Sequence, residues 1–263
     1  MRLFAIFGDP VKHSRSPLMH NNVFKTLKYK ACYTRIQLND GTKLRETFLN
    51  LGLSGANITV PHKEAAFKAC DEIRGFANKI GVVNTIVEKN GKLIGYNTDA
   101  DGFMYAVKPF GAIKTVLVLG AGGTAKALSQ RFKDESMDVT VMNRSEGRLE
   151  AFKKSGFQTA TWESITIKAY DLVVNTTSAG LQDDNLPAPV EILKPLLQQC
   201  SFGADAIYGK VTPFLQLCSD LDITAKDGAD MLLGQGVLAN ALFTEGTLEL
   251  SDIEAPMKRS FLF

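Results

Sequence analysis

The sequence predicts an α/β protein in two parts, each with a mainly parallel sheet covered by helices. Three observations carry this. Strand-length apolar or alternating runs are followed repeatedly by amphipathic runs of helix length. The alternation restarts near residue 115 with a different signature, an uninterrupted apolar run. Between the two stretches, Asn97-Thr98-Asp99-Ala100-Asp101-Gly102-Phe103 is polar and glycine-containing, and reads as a hinge.

In the first part, LFAIFG (3–8) is an apolar strand that stops in turn residues. SPLMHNNVFKTLK (16–28) places Pro17 just inside a helix start and repeats apolar residues at helical spacing. ACYTRIQL (31–38) alternates as a strand, TKLRETFLNLG (42–52) is an amphipathic helix, and GANITV (55–60) is the next strand. Residues 62–81 read as one or two helices. VVNTIVEKNGKLIGYNTD (82–99) carries Asn90-Gly91 between two strand-like runs, a hairpin signal, with Asp99 at the end of its second strand.

The second part opens on TVLVLG (115–120), apolar throughout as a strand buried on both faces requires. A helix is expected from Gly123 to about Lys133, then the strand DVTVMN (138–143) and the helical run EGRLEAFKKSG (146–156). YDLVVNTT (170–177) and GADAIY (203–208) are further strands. TPFLQLCSDL (212–221) and GADMLLGQGVLANALFTEG (228–246) are helices. No fixed-period repeat or coiled-coil heptad interrupts the series.

Composition narrows the function classes. Apolar residues make up 45% and charged residues 22%, as in an ordinary globular protein, and the formal net charge of +2 points to neither nucleic acid nor a membrane surface. Five apolar residues after Arg2 are too few for a signal-peptide core or a membrane span. Cys32, Cys70, Cys200 and Cys218 form no C-x-x-C pair, which fits buried thiols in a reducing cytoplasm. His13, His20 and His62 lack metal-ligand spacing, so no metal site is expected. Ser178 lacks the G-x-S-x-G context of a nucleophile.

The most specific local signal is Gly120-x-Gly122-x-x-Ala125, set directly between a buried strand and a helix. Gly120 permits a tight turn, Gly122 lets the backbone approach a pyrophosphate, and Ala125 lets the helix pack close to the strand. The free N–H groups of the helix start, with Ala121, Gly123 and Thr124, then face the phosphates. This is the dinucleotide-binding fingerprint of a Rossmann domain. At the end of the next strand, where an NAD site carries a carboxylate, stand Asn143, Arg144 and Ser145, with Arg148 one turn on. Two guanidinium groups and a hydroxyl suit a 2′-phosphate, so the expected cofactor is NADP(H).

A nicotinamide enzyme that oxidises an alcohol needs a group to take the hydroxyl proton and return it in the reverse direction. Lys63 is one candidate, because a partly desolvated amine can act near neutral pH; Asp99 is a partner able to orient it. Pro61 turns the chain at the end of the strand 55–60, so Asn57, Thr59 and Lys63 can share one face at the strand's carboxyl end, where open α/β sheets bind ligands.

These residues belong to a larger ordered set. Ser14-x-Ser16-x-x-x-His20, Asn57-x-Thr59-x-Pro61-His62-Lys63, Val83-Asn84-Thr85, Asn97-Thr98-Asp99 and Gly120-Ala121-Gly122-Gly123 are followed by Asn143-Arg144-Ser145, Asn175-x-Thr177-Ser178-x-Gly180, Asp205-x-x-Tyr208 and Met231-Leu232-x-x-Gln235. Together they resemble the shikimate dehydrogenase family over nearly the whole chain. The resemblance implies reduction of 3-dehydroshikimate to shikimate with NADPH, in the route to chorismate and the aromatic amino acids. It implies a substrate domain of residues 1–101 and 237–263, and a Rossmann domain of residues 102–236, the last helices returning to the first domain.

By the same resemblance Ser14, Ser16, Asn57, Thr59, Asn84, Asp99, Tyr208 and Gln235 would surround the substrate. Lys63 would move the proton beside Asp99, and Ala206 and Gly228 would lie against the nicotinamide. Tyr208-Gly209-Lys210 departs from the Asn-Pro that often follows this tyrosine, and Ser145 replaces a common Thr. Other readings stay open at this level: a quinate/shikimate dehydrogenase of dual cofactor use, and a non-catalytic NADP-binding sensor. The oligomeric state is open as well, a homodimer among its options, and so is whether Lys63 or Asp99 is the formal base.

Overall fold

The computed structural model describes residues 1–262. The chain divides into two compact units, residues 1–102 with 233–263 and residues 103–232.

The first unit starts with β1 (Arg2–Gly8), α1 (Ser16–Thr26), β2 (Ala31–Gln37), α2 (Leu44–Asn50), β3 (Gly55–Ile58) and α3 (Lys63–Ala69). It continues through β4 (Glu72–Ile73), α4 (Phe76–Ile80), β5 (Thr85–Lys89), β6 (Lys92–Tyr96) and α5 (Asp99–Val107), the helix in which the chain leaves the unit. The strands form one sheet in the order β2-β1-β3-β5-β6-β4. Only β5 runs against its neighbours, so the sheet is mainly parallel. Alternation along β1 explains its burial on both sides. Ala5 and Phe7 pack with Leu44 and Phe48 of α2 and Ala66 of α3, while Phe4 and Ile6 pack with Phe24 of α1 on the other face.

The second unit follows with β7 (Thr115–Leu119), α6 (Gly123–Asp134), β8 (Asp138–Met142), α7 (Glu150–Lys154), β9 (Gln158–Ala160) and β10 (Tyr170–Asn175). Then come α8 (Val190–Leu197), β11 (Cys200–Asp205), α9 (Pro213–Asp220) and β12 (Thr224–Lys226). Its sheet is wholly parallel, in the order β12-β11-β10-β7-β8-β9. The chain builds outward from β7 in one direction, then restarts at β10 and builds the other way. That reversal between β7 and β10 is the topological switch point of a doubly wound dinucleotide-binding sheet. Val116 and Val118 point to one core with Leu128 and Phe132 of α6; Leu117 and Leu119 point to the other with Leu193 and Leu197 of α8.

The chain re-enters the first unit within α10 (Ala229–Phe243) and ends in α11 (Leu250–Arg259). Ala239 and Phe243 of α10 pack on the Phe4 face of the first sheet, and Phe4 and Phe243 stack at 4.7 Å. Among the described residues no helix is long and apolar enough to cross a membrane.

The structure refines several expectations. Residues 62–81 form two helices with the short strand β4 between them. Asp99 is the first residue of α5, not the end of a hairpin strand, because the Asn97 side chain accepts from Asp99 N and starts a helix there. Strands β9 and β12 and helices α5, α8 and α11 add to the elements read from the sequence.

Candidate active site and dinucleotide loop

Lys63 and Asp99 each occupy the first position of a helix, α3 and α5. After β3, Thr59 N donates to Phe7 O and His62 N donates back to Thr59 O, so the chain turns at once into α3. The Val60–Pro61 peptide in this turn is cis. Lys63 Nζ meets Asp99 Oδ2 at 2.5 Å, with the two side chains only 13% and 10% exposed. Asp99 Oδ1 accepts from Asn84 Nδ2 at 2.8 Å. A charge pair so far removed from water persists only where its remaining polar positions are also bonded. Here both carboxylate oxygens are.

Asn84 is the hub of the next layer. Its Oδ1 accepts from Thr98 N at 2.8 Å and from Thr85 Oγ1 at 3.0 Å, and its Nδ2 also reaches Thr98 Oγ1. Thr85 Oγ1 in turn accepts from Asn57 Nδ2 at 3.1 Å. Asn57 Oδ1 accepts from the Tyr33 hydroxyl at 2.7 Å. Ser14 lies in the loop before α1 and Ser16 is the first residue of that helix, their hydroxyls 3.3 Å apart, and Arg35 holds the loop by donating Nε and Nη2 to Ser14 O. Ser14, Ser16, Asn57, Asn84, Thr85 and Asp99 are all buried. The first unit therefore gathers Asn57, Asn84 and Asp99 into one bonded set, and holds Ser14 and Ser16 as a bonded pair. Thr59, half-buried at the end of β3, and Gln235, buried on α10, belong to the same unit.

Two histidines have packing roles. His62 is buried, with Nε2 at 2.5 Å from Leu38 O. His20, fully buried, stacks on Tyr33 with ring centroids 4.4 Å apart and planes within 7°, and its Nδ1 meets Asn240 Nδ2 at 2.9 Å. Burial lowers the His20 pKa to about 3, against the opposing pull of the nearby Asn57 side chain, so the ring is neutral. A cavity of about 520 Å³ in this unit, lined by Arg74, Tyr96, Asn97, Thr98, Asp101 and Leu242, reaches the back of this network at Thr98 but is lined by neither Lys63 nor Asp99.

In the second unit the glycine loop joins β7 to α6 at the switch point. Gly120 sits at φ +108°, and a Cβ there would meet Thr176 Oγ1 at 2.9 Å, so only glycine suits it. Gly122 caps α6 in an extended conformation, and the space its Cβ would take is empty of protein atoms. That opening, next to the helix N–H groups of Gly123 and Thr124, fits an approaching pyrophosphate. Ala125, in the first turn of α6, is fully buried, as the close packing of helix on strand demands. Arg144, Ser145 and Arg148 are exposed after β8, where Asn143 Nδ2 donates to Ser145 O and shapes the turn. Glu146, the carboxylate nearest them in sequence, is held by Lys153 at 2.8 Å, which keeps its pKa below the usual carboxylate range. The guanidinium pair thus has its acidic neighbour already engaged.

Three residues to which the sequence reading gave no role fix the neighbouring loops. Asp205 at the end of β11 accepts from both Asn175 Nδ2 and Thr212 Oγ1, the latter at 2.7 Å, and from Ile207 N. Burial raises its pKa, and those hydrogen bonds oppose the rise. This knot sets Ala206, whose carbonyl lies so near Gly228 that a Cβ there would clash at 2.3 Å. Tyr208 is half-buried in the same unit, followed by Gly209 at φ +81°. Asn175 and Asp205 stood in the ordered motifs without a stated role, whereas Tyr33 gave no signal beyond its place in an alternating strand.

A doubly wound dinucleotide fold joined to a unit that buries a Lys–Asp pair defines a nicotinamide-dependent oxidoreductase. Comparison with known proteins names the family. Residues 6–86 match the family model for the shikimate dehydrogenase substrate binding domain. A shikimate dehydrogenase (NADP(+)) of Helicobacter hepaticus is 42% identical over 98% of this chain and 97% of its own length. The structure of shikimate dehydrogenase from Aquifex aeolicus matches 99% of this chain and 97% of its own, with 31% identity and a TM-score of 0.88. A Thermus thermophilus shikimate 5-dehydrogenase, solved in complex with NADP(H) and shikimate, matches 99% of this chain and 100% of its own, with 31% identity and a TM-score of 0.84. The chain belongs to the shikimate dehydrogenase family.

Proposed function

We infer that this chain is an NADP(H)-dependent oxidoreductase that interconverts 3-dehydroshikimate and shikimate, in the route to chorismate and the aromatic amino acids. The observation that carries the reading is the 2.5 Å contact of Lys63 Nζ with Asp99 Oδ2, buried and further bonded by Asn84, in a chain that matches this family end to end. A non-catalytic binder has no need of such a pair. NADPH, when bound, supplies the hydride that reduces the carbonyl carbon.

In the reductive direction Lys63 Nζ gives a proton to the oxygen that becomes the hydroxyl; in the oxidative direction it takes that proton back. Asp99 Oδ2 holds the amine in place, and the two act as one unit. Ser14, Ser16, Asn57, Thr59, Asn84, Tyr208 and Gln235 supply hydrogen bonds to the carboxylate and hydroxyls of the substrate, a triol acid that needs many partners. Gly120 to Ala125 hold the pyrophosphate, Asn143, Arg144, Ser145 and Arg148 hold the 2′-phosphate, and Ala206 and Gly228 leave room for the nicotinamide. The four cysteines are free thiols, which supports a cytoplasmic setting.

The test is absorbance of the reduced nicotinamide with shikimate, supplying NADP⁺ and then NAD⁺. Reduction of NADP⁺ in clear preference to NAD⁺ is expected, and Lys63→Ala lowers turnover by about 10²–10⁴-fold. Silence with both cofactors despite NADPH binding would return the sensor reading. Comparable rates with NAD⁺ and quinate would return the dual-cofactor one.

A further inference from the structure

We propose that Tyr33 is a positioning residue that locks the Asn57 amide into one geometry with the Lys63–Asp99 pair. The inference rests on the function proposed above and adds a residue that acts through its neighbours.

Lys63, Asp99 and Asn84 are joined through Thr85 to Asn57. The Tyr33 hydroxyl closes the far end of this set, donating to Asn57 Oδ1 at 2.7 Å. The Asn57 amide has one orientation. Thr85 Oγ1 gives its own proton to Asn84 Oδ1 and so accepts from Asn57 Nδ2 at 3.1 Å, and the Asn84 carbonyl can only accept. Oδ1 is left facing Tyr33, whose proton holds it there.

Tyr33 itself has little freedom. Its ring is stacked on His20 at 4.4 Å and lies 6.2 Å from Phe243. Its backbone is clamped by Asn21 of α1, which accepts from Tyr33 N at 2.9 Å and donates to Tyr33 O at 2.8 Å. With 2% exposure the hydroxyl is lost to water, a cost that phenylalanine in the same place would avoid. The ring explains the packing; the bond to Asn57 explains the oxygen. Burial also pushes the phenol well above its ordinary pKa, so it remains a donor throughout the working range.

Tyr33→Phe keeps the ring and removes the oxygen. The expected result is a KM for shikimate raised about tenfold, the equivalent of roughly 1.4 kcal/mol, with the KM for NADP⁺ unchanged. In a cycle with Asn57→Ala, the double variant should raise KM for shikimate by clearly less than the product of the single effects, because both remove the same hydrogen bond. A KM for shikimate unaltered in Tyr33→Phe would overturn the inference, whatever happens to its melting temperature. So would effects that multiply independently in the cycle. Wild-type protein that turns over no shikimate would overturn the proposed function and this inference with it, so the two failures are told apart.

Discussion

Lys63 is a cation at the amino terminus of a helix, where the backbone dipole disfavours positive charge. Asp99, at the start of α5, follows the electrostatic preference and Lys63 breaks it. A residue that violates a local rule and is then compensated by one buried partner is where chemistry is expected. His20 shows a second residue-scale consequence, this time for stability. The unfolded chain takes up a proton on that ring near pH 6.5, whereas the folded ring does so only at about 3. Between those values the unfolded state binds more protons, so stability is complete above the upper value and falls as pH drops toward the lower one. The slope approaches about 1.4 kcal/mol per pH unit within that window. Chemical denaturation of the wild type from about pH 7 to about pH 4 should show this loss, and His20→Gln should flatten it. An equal slope in both proteins would move the acid sensitivity to other groups.

At the scale of elements, the sequence reveals what periodicity can carry. The strands β1, β2, β3, β7, β8 and β10 announce themselves, as do the helices that start at Ser16 and Gly123, because each spans enough residues to repeat a pattern. The strands β4, β9 and β12 have two or three residues apiece at sheet edges, too few for any period to emerge. Helix α8 contains Pro195, which argues against a helix until α8 packs Leu193, Leu196 and Leu197 into the second core. The loops after β10 and β11 were legible only as motifs. Their order comes from Asp205, which gathers Asn175, Thr212 and Ile207 N around one carboxylate. Asp205→Asn replaces an acceptor with an NH₂ group facing these donors. It should cost about 1–3 kcal/mol in chemical denaturation and weaken NADP⁺ binding through the displaced Ala206 loop. Full stability together with unaltered NADP⁺ affinity would remove Asp205 from that role.

For the whole molecule, the choice of cofactor is the property that one side-chain cluster imposes on global behaviour. The parallel α/β character of the second unit was legible in the chain's alternation, and the nucleotide fingerprint in three small residues, since both depend on local sequence. The bonded set around Asn84 and Tyr33 was not, because it joins positions far apart in sequence whose polar atoms meet only after the sheet has formed. Arg144 and Arg148 lie between these cases. Their types were readable, and their availability depends on Lys153 holding Glu146. A ligand that binds only the folded chain stabilises it in proportion to its affinity, by about 2.7 kcal/mol at a hundredfold excess over Kd. In a chain of this size that raises the unfolding midpoint by roughly 5–10 °C. NADP⁺ at such an excess should therefore produce a clear shift, and NAD⁺ at the same concentration a much smaller one, because only the former carries a phosphate for the guanidinium pair. Arg144→Ala should bring the NADP⁺ shift down toward that of NAD⁺ while leaving the NAD⁺ shift in place. If the substitution lowers both shifts equally, Arg144 supports the loop and does not read the phosphate, and cofactor preference must be sought elsewhere along the nucleotide.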